Sequence, residues 1–240
     1  MKSRLAVLAA VLLLAAGPGW CEPAEQGYEA LFERALESIA WDFQEDWAFT
    51  ETESGSDGDF VGRYDPRSPH GERWTLVSID GREPTKEEAR RYADRKRGED
   101  GNDDHDSDSS VDGMVEPGSL ELIEETGDHW LLRFVPADDG DDDDVGGKVL
   151  ERMQGTVKIV KDGHYLEYLD IRTTKPIRPK AGVKMKKFLT RITFGPAVDG
   201  GPIVMQSMDV AIKLSAFLVV RVDETQSVRL SDFAYAGRDD

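Results

Sequence analysis

The densest group of potential ligands in the chain is DDHDSDSS, residues 103 to 110, where alternating carboxylates surround His105. Calcium loops of the EF-hand type use such carboxylates, with oxygens at the first, third, fifth, seventh, ninth and twelfth positions and glycine at the sixth. Counted from Asp104, the frame supplies Asp104, Asp106, Asp108 and Asp112, but Ser109 replaces the glycine and Val115 the closing glutamate. Counted from Asp106 it fails further, with Val111 at the sixth position and Pro117 at the twelfth. Like charges repel, so the segment reads as a solvated, disordered loop rather than a metal site.

Other chemistries are equally short of parts. His70, His105, His129 and His164 lie far apart in sequence, none in an HxxxH or HxH spacing, and Cys21 is the only thiol. Zinc sites are built from clustered His and Cys, so none is expected. There is no GxSxG motif, and the Ser68-His70 pair sits in a Pro-rich, turn-like stretch with no orienting partner. The glycine pairs Gly146-Gly147 and Gly200-Gly201 lack the strand-to-helix setting of a phosphate loop. No catalytic residue, metal or cofactor is expected, and the function should be non-enzymatic.

The elements that must position any site are mostly strands. Tyr28, Leu31, Phe32, Ala35, Leu36 and Ile39 recur at helical spacing, which predicts an amphipathic helix over Ala24 to Ala40. A second helix is expected in PTKEEARRYADRKRGE, with Thr85 as its cap and few apolar residues (Ala89, Tyr92, Ala93), lying on the surface as a cover. Between and after them, short β-prone runs flank turn signals at Gly55 to Gly58, Asp80-Gly81, Thr126 to Asp128 and Asp162-Gly163. In MDVAIKLSAFLVVRVDE the even positions from Met208 to Val222 are all apolar, over a run too long for one ordinary strand. In SVRLSDFAYAG the apolar phase slips between Leu230 and Phe233, as a bulge produces.

With no helix between strands in the second half, parallel βαβ units are excluded and the sheet should be antiparallel. The expected fold is mainly β (α+β). About ten or eleven strands should form a curved sheet, an unclosed half-barrel, with the first helix on it and the inserted helix as a lid.

Composition bounds the setting. MKSRLAVLAAVLLLAAGPGWC has a basic start, an apolar run from Leu5 to Ala16 and a Pro18 break, the layout of a signal peptide over residues 1–21. Its apolar run is too short for a bilayer core of about 30 Å, so no integral span is expected. Pro18, Gly19 and Trp20 do not match the small-residue signal for a lipid anchor at Cys21. Residues 22–240 then form a single domain without an internal disulfide. Removing Lys2 and Arg4 takes the net charge from −18 to −20. Seven of those acids lie in Glu99 to Asp112 and six in Asp138 to Asp144, so disordered acidic loops are expected at about 99–113 and 138–146. This acidity argues against nucleic acid and against anionic membrane surfaces, both of which need basic patches.

Two stretches, RYDPRSPHGERWTLVSIDGREPTKEEARRYADRKR and VLERMQGTVKIVKDGHYLEYLDIRTTKPIRPKAGVKMKKFLTRITF, resemble exported proteobacterial proteins of the LolA-like superfamily of periplasmic lipoprotein and lipid carriers. The longer stretch is similar to that superfamily's sheet: a strand pair, a proline-containing connection and another long strand. The resemblance implies an unclosed barrel with a helical lid, an apolar cavity for acyl chains, and a periplasmic location in a Gram-negative bacterium. The surplus of apolar strand positions fits that expectation. Leu31, Phe32, Leu36, Phe188, Phe194, Phe217 and Val219 are the candidate cavity residues, and a lipid or lipoprotein acyl chain is the expected partner. The alternative is an envelope scaffold module whose barrel is filled by its own side chains.

Overall fold

The computed structural model describes residues 26–100, 111–137, 150, 152–178, 182–217 and 220–237. Residues 1–21, expected as a signal peptide, DDHDSDSS, the acidic run from Asp138 to Asp144, and Val219 lie outside the described residues.

Two helices, α1 (Gln26–Glu37) and α2 (Lys86–Asp100), accompany ten strands. The strands are β1 (Trp47–Gly55), β2 (Gly58–Tyr64), β3 (Trp74–Ile79), β4 (Glu121–Glu125), β5 (His129–Phe134), β6 (Met153–Val160), β7 (Tyr165–Thr173), β8 (Val183–Pro196), β9 (Ile203–Ala216) and β10 (Val220–Tyr235). They form one unclosed, curved sheet in the order β3-β2-β1-β10-β9-β8-β7-β6-β5-β4. Every ladder is antiparallel, and β1 pairs with β10, so the first and last strands of the chain close the middle of the sheet. The hairpin turns fall where Gly and Asp permit a left-handed backbone, for instance Gly58 at φ 117 and Gly163 at φ 80.

One face of the sheet, the inner face, carries both apolar clusters. In the first, Phe32, Ala35 and Leu36 of α1 pack with Leu132, Phe134, Val157, Ile159, Leu166, Leu169, Ile192 and Phe194. The second joins Phe43, Phe49, Tyr64, Val204 and Leu230. Met205 packs against both, which places them on one continuous surface. Close approach is enforced at Gly155, where an added Cβ would stand 2.1 Å from the Phe134 ring.

Three sequence expectations change at their edges. The first helix ends at Glu37 rather than Ala40, because Ile39 leaves it to bridge Ile203 and the Ala40 N–H donates to the Ile203 carbonyl at 2.8 Å. At the two ends of the segment expected as an acidic loop, 99–113, α2 runs to Asp100 and Val111–Met114 forms a 3-10 turn whose Val111 is buried in the α1 cluster. Val111, Val115 and Leu120 give that connection an apolar side to bury, which its charge density masks. The long alternating run resolves into β9 and β10, joined by a turn after Ala216.

Candidate functional site: the inner face of the half-barrel

The α1 half of the inner face is filled. Phe32 is 2% exposed, Leu36 9% and Phe194 3%, and Leu31 packs on the same cluster, so four of the candidate cavity residues are brought together as close-packed core. Phe188 lies elsewhere, on the distal part of β8, half-buried. Phe217 is on no strand; it occupies the turn after β9, 70% exposed and at φ 49. Val219 is outside the described residues.

The distal half of the same face is different. Strand register sets Phe188 beside Ile212, and Met185 beside Leu214 and Val222; Thr190 and Val210 precede them in the same alternation. Because directly paired residues share a face and parity alternates, this strip continues the row Ile192, Met208, Val228 that borders the cores. Ile177, in the β7–β8 connection, extends it by bridging Met185. Met185, Phe188, Val210, Ile212, Leu214 and Val222 are all half-buried rather than sealed, unlike their counterparts under α1. The strip is thus an apolar surface about two strands wide at its narrowest, open where the α1 core is closed.

The α2 end of the inner face holds a cluster that the sequence does not announce. Thr85 and Glu88 form a reciprocal cap, the Glu88 N–H donating to Thr85 Oγ1 at 3.3 Å and the Thr85 N–H to Glu88 Oε2 at 2.8 Å. The helix so started sets Tyr92 and Lys96, 4% and 7% exposed, onto β1 to β3. Lys96 Nζ sits 2.7 Å from Glu51 and 2.8 Å from Glu53, and 4.8 Å from the centre of the Trp74 ring. Arg95 pairs with Glu53 at 2.8 Å, and the Tyr92 hydroxyl donates to Glu51 at 3.4 Å. Burial pushes the Glu51 carboxyl up to about 7, helped by its hydrogen bond to Glu53 and opposed by Lys96. Burial would raise Glu53 too, but hydrogen bonds from Glu51, Arg95 and Lys96 hold it below the ordinary carboxylate range. Burial also raises the Tyr92 phenol, reinforced by the charges of Glu51 and Glu53. Two neighbouring carboxylates, one pushed toward its neutral form, on either side of a buried ammonium make an electrostatic latch between α2 and the sheet.

Beside the latch, Phe60, Ile79, Glu88, Arg91, Tyr92 and Arg95 line a cleft of about 300 Å³. A larger polar cleft of about 770 Å³ opens near Glu45, Asp46, Arg67, His70, Arg73 and Tyr235. Of the other described histidines, His129 Nδ1 lies 3.0 Å from Thr126 Oγ1 and His164 faces the Trp130 ring. Among the described residues no group of three His, Cys, Asp or Glu could hold a metal ion, and no helix is long and apolar enough to cross a membrane. On the outer face Asp170, 1% exposed, is satisfied by Thr156 Oγ1 and Arg191, each at 2.6 Å, and tethers β6, β7 and β8.

Sequence reasoning finds the apolar alternation of β9 and names Phe188 as a cavity residue, but it assigns no other residue of the strip to the cavity and misses the latch. Lys96 lies in a highly charged helix, and nothing local distinguishes it from Arg95 or Arg97. The available signal is Tyr92, one turn earlier on the same helix face, as the only bulky apolar residue in that helix. No protein-family model matches the chain, and no curated protein is similar to it.

Proposed function

We propose that this chain is an exported, non-enzymatic binding protein of the periplasm that carries an apolar chain, such as the acyl chain of a lipid or lipoprotein, in its half-barrel. A single observation carries the reading: Met185, Phe188, Val210, Ile212, Leu214 and Val222 form a continuous half-buried apolar strip on the inner face. Ordinary strands that project from a globule alternate apolar with polar residues and leave the solvent face polar. Here the outer face carries Lys184, Lys187, Lys213 and Asp223, while the inner face is polar only at Thr190 of β8 and at Glu224 and Gln226 of β10, so half-buried apolar area is concentrated along β8 and β9 on the inner side. Contact with an acyl chain removes that surface from water at roughly 25 cal/mol per Å². Cargo belongs on this distal strip and not under α1, where the side chains already fill the space.

The filled α1 cluster favours a second reading, an envelope scaffold with no ligand at all. Two measurements separate them. Native mass spectrometry of the chain recovered from cells should show a lipid-sized adduct, and a fluorescent fatty acid should bind and be displaced by unlabelled lipid. Ile212→Asp should weaken that binding about tenfold or more with an unchanged circular dichroism spectrum, since a carboxylate would sit where the acyl chain lies. A chain that carries no adduct and binds no fatty acid is the scaffold.

A further inference from the structure

Charge is distributed in this chain against its average. Between Ile171 and Val198 the sequence holds eight Lys and Arg and no Asp or Glu, in a chain of net charge −18. That stretch takes in the end of β7 and the whole of β8.

Register turns the composition into a surface. The β7–β8 ladder ends at Arg172 opposite Leu189, and the β1–β10 ladder at Ser54 opposite Ser227. Beyond those points the distal parts of β8, β9 and β10 continue together as a three-stranded tongue. On its outer face Lys184, Ser215 and Arg221 form one row, and Lys187, Lys213 and Asp223 the next, with Lys186 at a bulge between them. The segments Val183 to Phe188, Ala211 to Ala216 and Val220 to Thr225 hold five cations (Lys184, Lys186, Lys187, Lys213, Arg221) and two acids (Asp223, Glu224).

The described residues that flank the tip, Phe217 and Val220, are apolar. Phe217 is 70% exposed, the most of any large apolar side chain among the described residues, and Val220 is 52% exposed. Phe217 adopts φ 49, a conformation unfavourable for a bulky residue. It is held there by its N–H, which donates to the Gly182 carbonyl at 2.7 Å, and by a close ring contact that leaves no room for a Cβ at Gly182, 2.7 Å away. Strain that holds an aromatic ring out in water makes sense where the ring has a partner.

We infer that the tongue docks on an anionic lipid bilayer, Phe217 and Val220 entering the interface while Lys184, Lys186, Lys187 and Arg221 meet the lipid phosphates. Apolar side chains bind a few ångströms into the boundary between headgroups and acyl chains, and flanking cations add attraction to anionic lipids. The remaining acidic body of the molecule is repelled by the same surface, so docking is tongue-first. The strip of inner-face residues then starts at the membrane, which deepens the carrier reading but does not depend on it: a chain can dock and carry nothing, or bind fatty acid and never dock.

The test is co-sedimentation of the exported chain with vesicles of phosphatidylcholine containing about 30% phosphatidylglycerol, against phosphatidylcholine alone. Binding should require the anionic lipid and weaken with salt. Phe217→Asp should reduce it about tenfold, and Lys184→Gln with Lys186→Gln and Lys187→Gln by a similar factor, whereas Lys86→Gln at the exposed start of α2 should change it little. An independent reading needs no loss of binding: the indole introduced by Phe217→Trp should shift to the blue on anionic vesicles and be quenched by brominated acyl chains. Equal binding to neutral vesicles, or an indole unquenched by the brominated lipid when the chain is bound, overturns the inference. So does retention on an acidic protein surface with no sedimentation on any vesicle.

Discussion

Lys96 is the residue whose removal should cost most for its size. Its ammonium is the partner of Glu51 at 2.7 Å and of Glu53 at 2.8 Å in a site where all three side chains are largely buried. Breaking a buried ion pair from one side leaves the other charge uncompensated, at a cost of about 3–5 kcal/mol. Lys96→Met should therefore destabilise the chain by about that much in urea titrations at pH 7, despite conserving length and apolar stem. Glu51 gives the latch a pH dependence. Its folded pKa of about 7 exceeds the ordinary 4.5, so the stability it contributes is complete below pH 4.5 and is lost as pH rises toward 7. Glu53, held low, acts oppositely: its contribution is present above pH 4.5 and is lost only as pH falls below that. Between pH 5 and 8 the Glu51 effect governs, and Glu51→Gln should flatten the profile there, gaining on the order of 2 kcal/mol over the parent at pH 8 relative to pH 5. A parent profile that is already flat over that range would mean that Glu51 is ionised throughout it and that its carboxyl is not raised. None of this was legible from sequence, because burial of a lysine in so charged a helix is decided by what β1 and β3 present to it, not by its neighbours along the chain.

At the scale of elements, the sequence is most readable where its periodicity and its punctuation agree. The stripe from Tyr28 to Leu36 becomes α1, and the Gly and Asp turn signals become the β1–β2, β4–β5 and β6–β7 hairpins. The slip between Leu230 and Phe233 becomes a bulge, with the register shifting opposite Ala48 and Thr50 and Asp232 at φ 52. Punctuation fails after β9. Residues Ala216 to Arg221 contain no Gly, Pro, Asn or Asp, so the alternation of Met208 to Val222 runs through a chain reversal with nothing local to mark it. Phe217, assigned to the cavity from its position in that run, is in consequence a turn residue. Gly155 is the converse, a glycine inside a strand that marks no turn but the seat of the Phe134 ring. Gly155→Ala drives a methyl into that ring, and overpacking of this kind costs about 1–3 kcal/mol or more. Thermal unfolding should register the loss, and Gly155→Ala with Phe134→Leu should recover part of it.

At the scale of the whole molecule, the strand order divides the sheet at one ladder. β1 to β3 with α2 lie on one side of β10, and β9 to β4 on the other, so β10 joins the start of the chain to its end. The acids in β4, Glu121, Glu124 and Glu125, lie exposed along one outer edge and discourage a second sheet from adding there. Fold class and antiparallel direction were legible from the absence of interleaved helices, but this order was not, since pairing between strands so distant in sequence leaves no local pattern. The order has a measurable consequence. Leu230, 8% exposed, faces Glu51 across the ladder and packs in the cluster of Phe49 and Tyr64. Leu230→Ala should cost about 2–4 kcal/mol, and the loss should be uneven. Hydrogen exchange should accelerate in β1 to β3 and α2 while β5 to β7, held by the α1 core and by Asp170, retain most of their protection. Equal acceleration in all ten strands would mean that the sheet opens as one cooperative unit and that β10 is a seam in topology only.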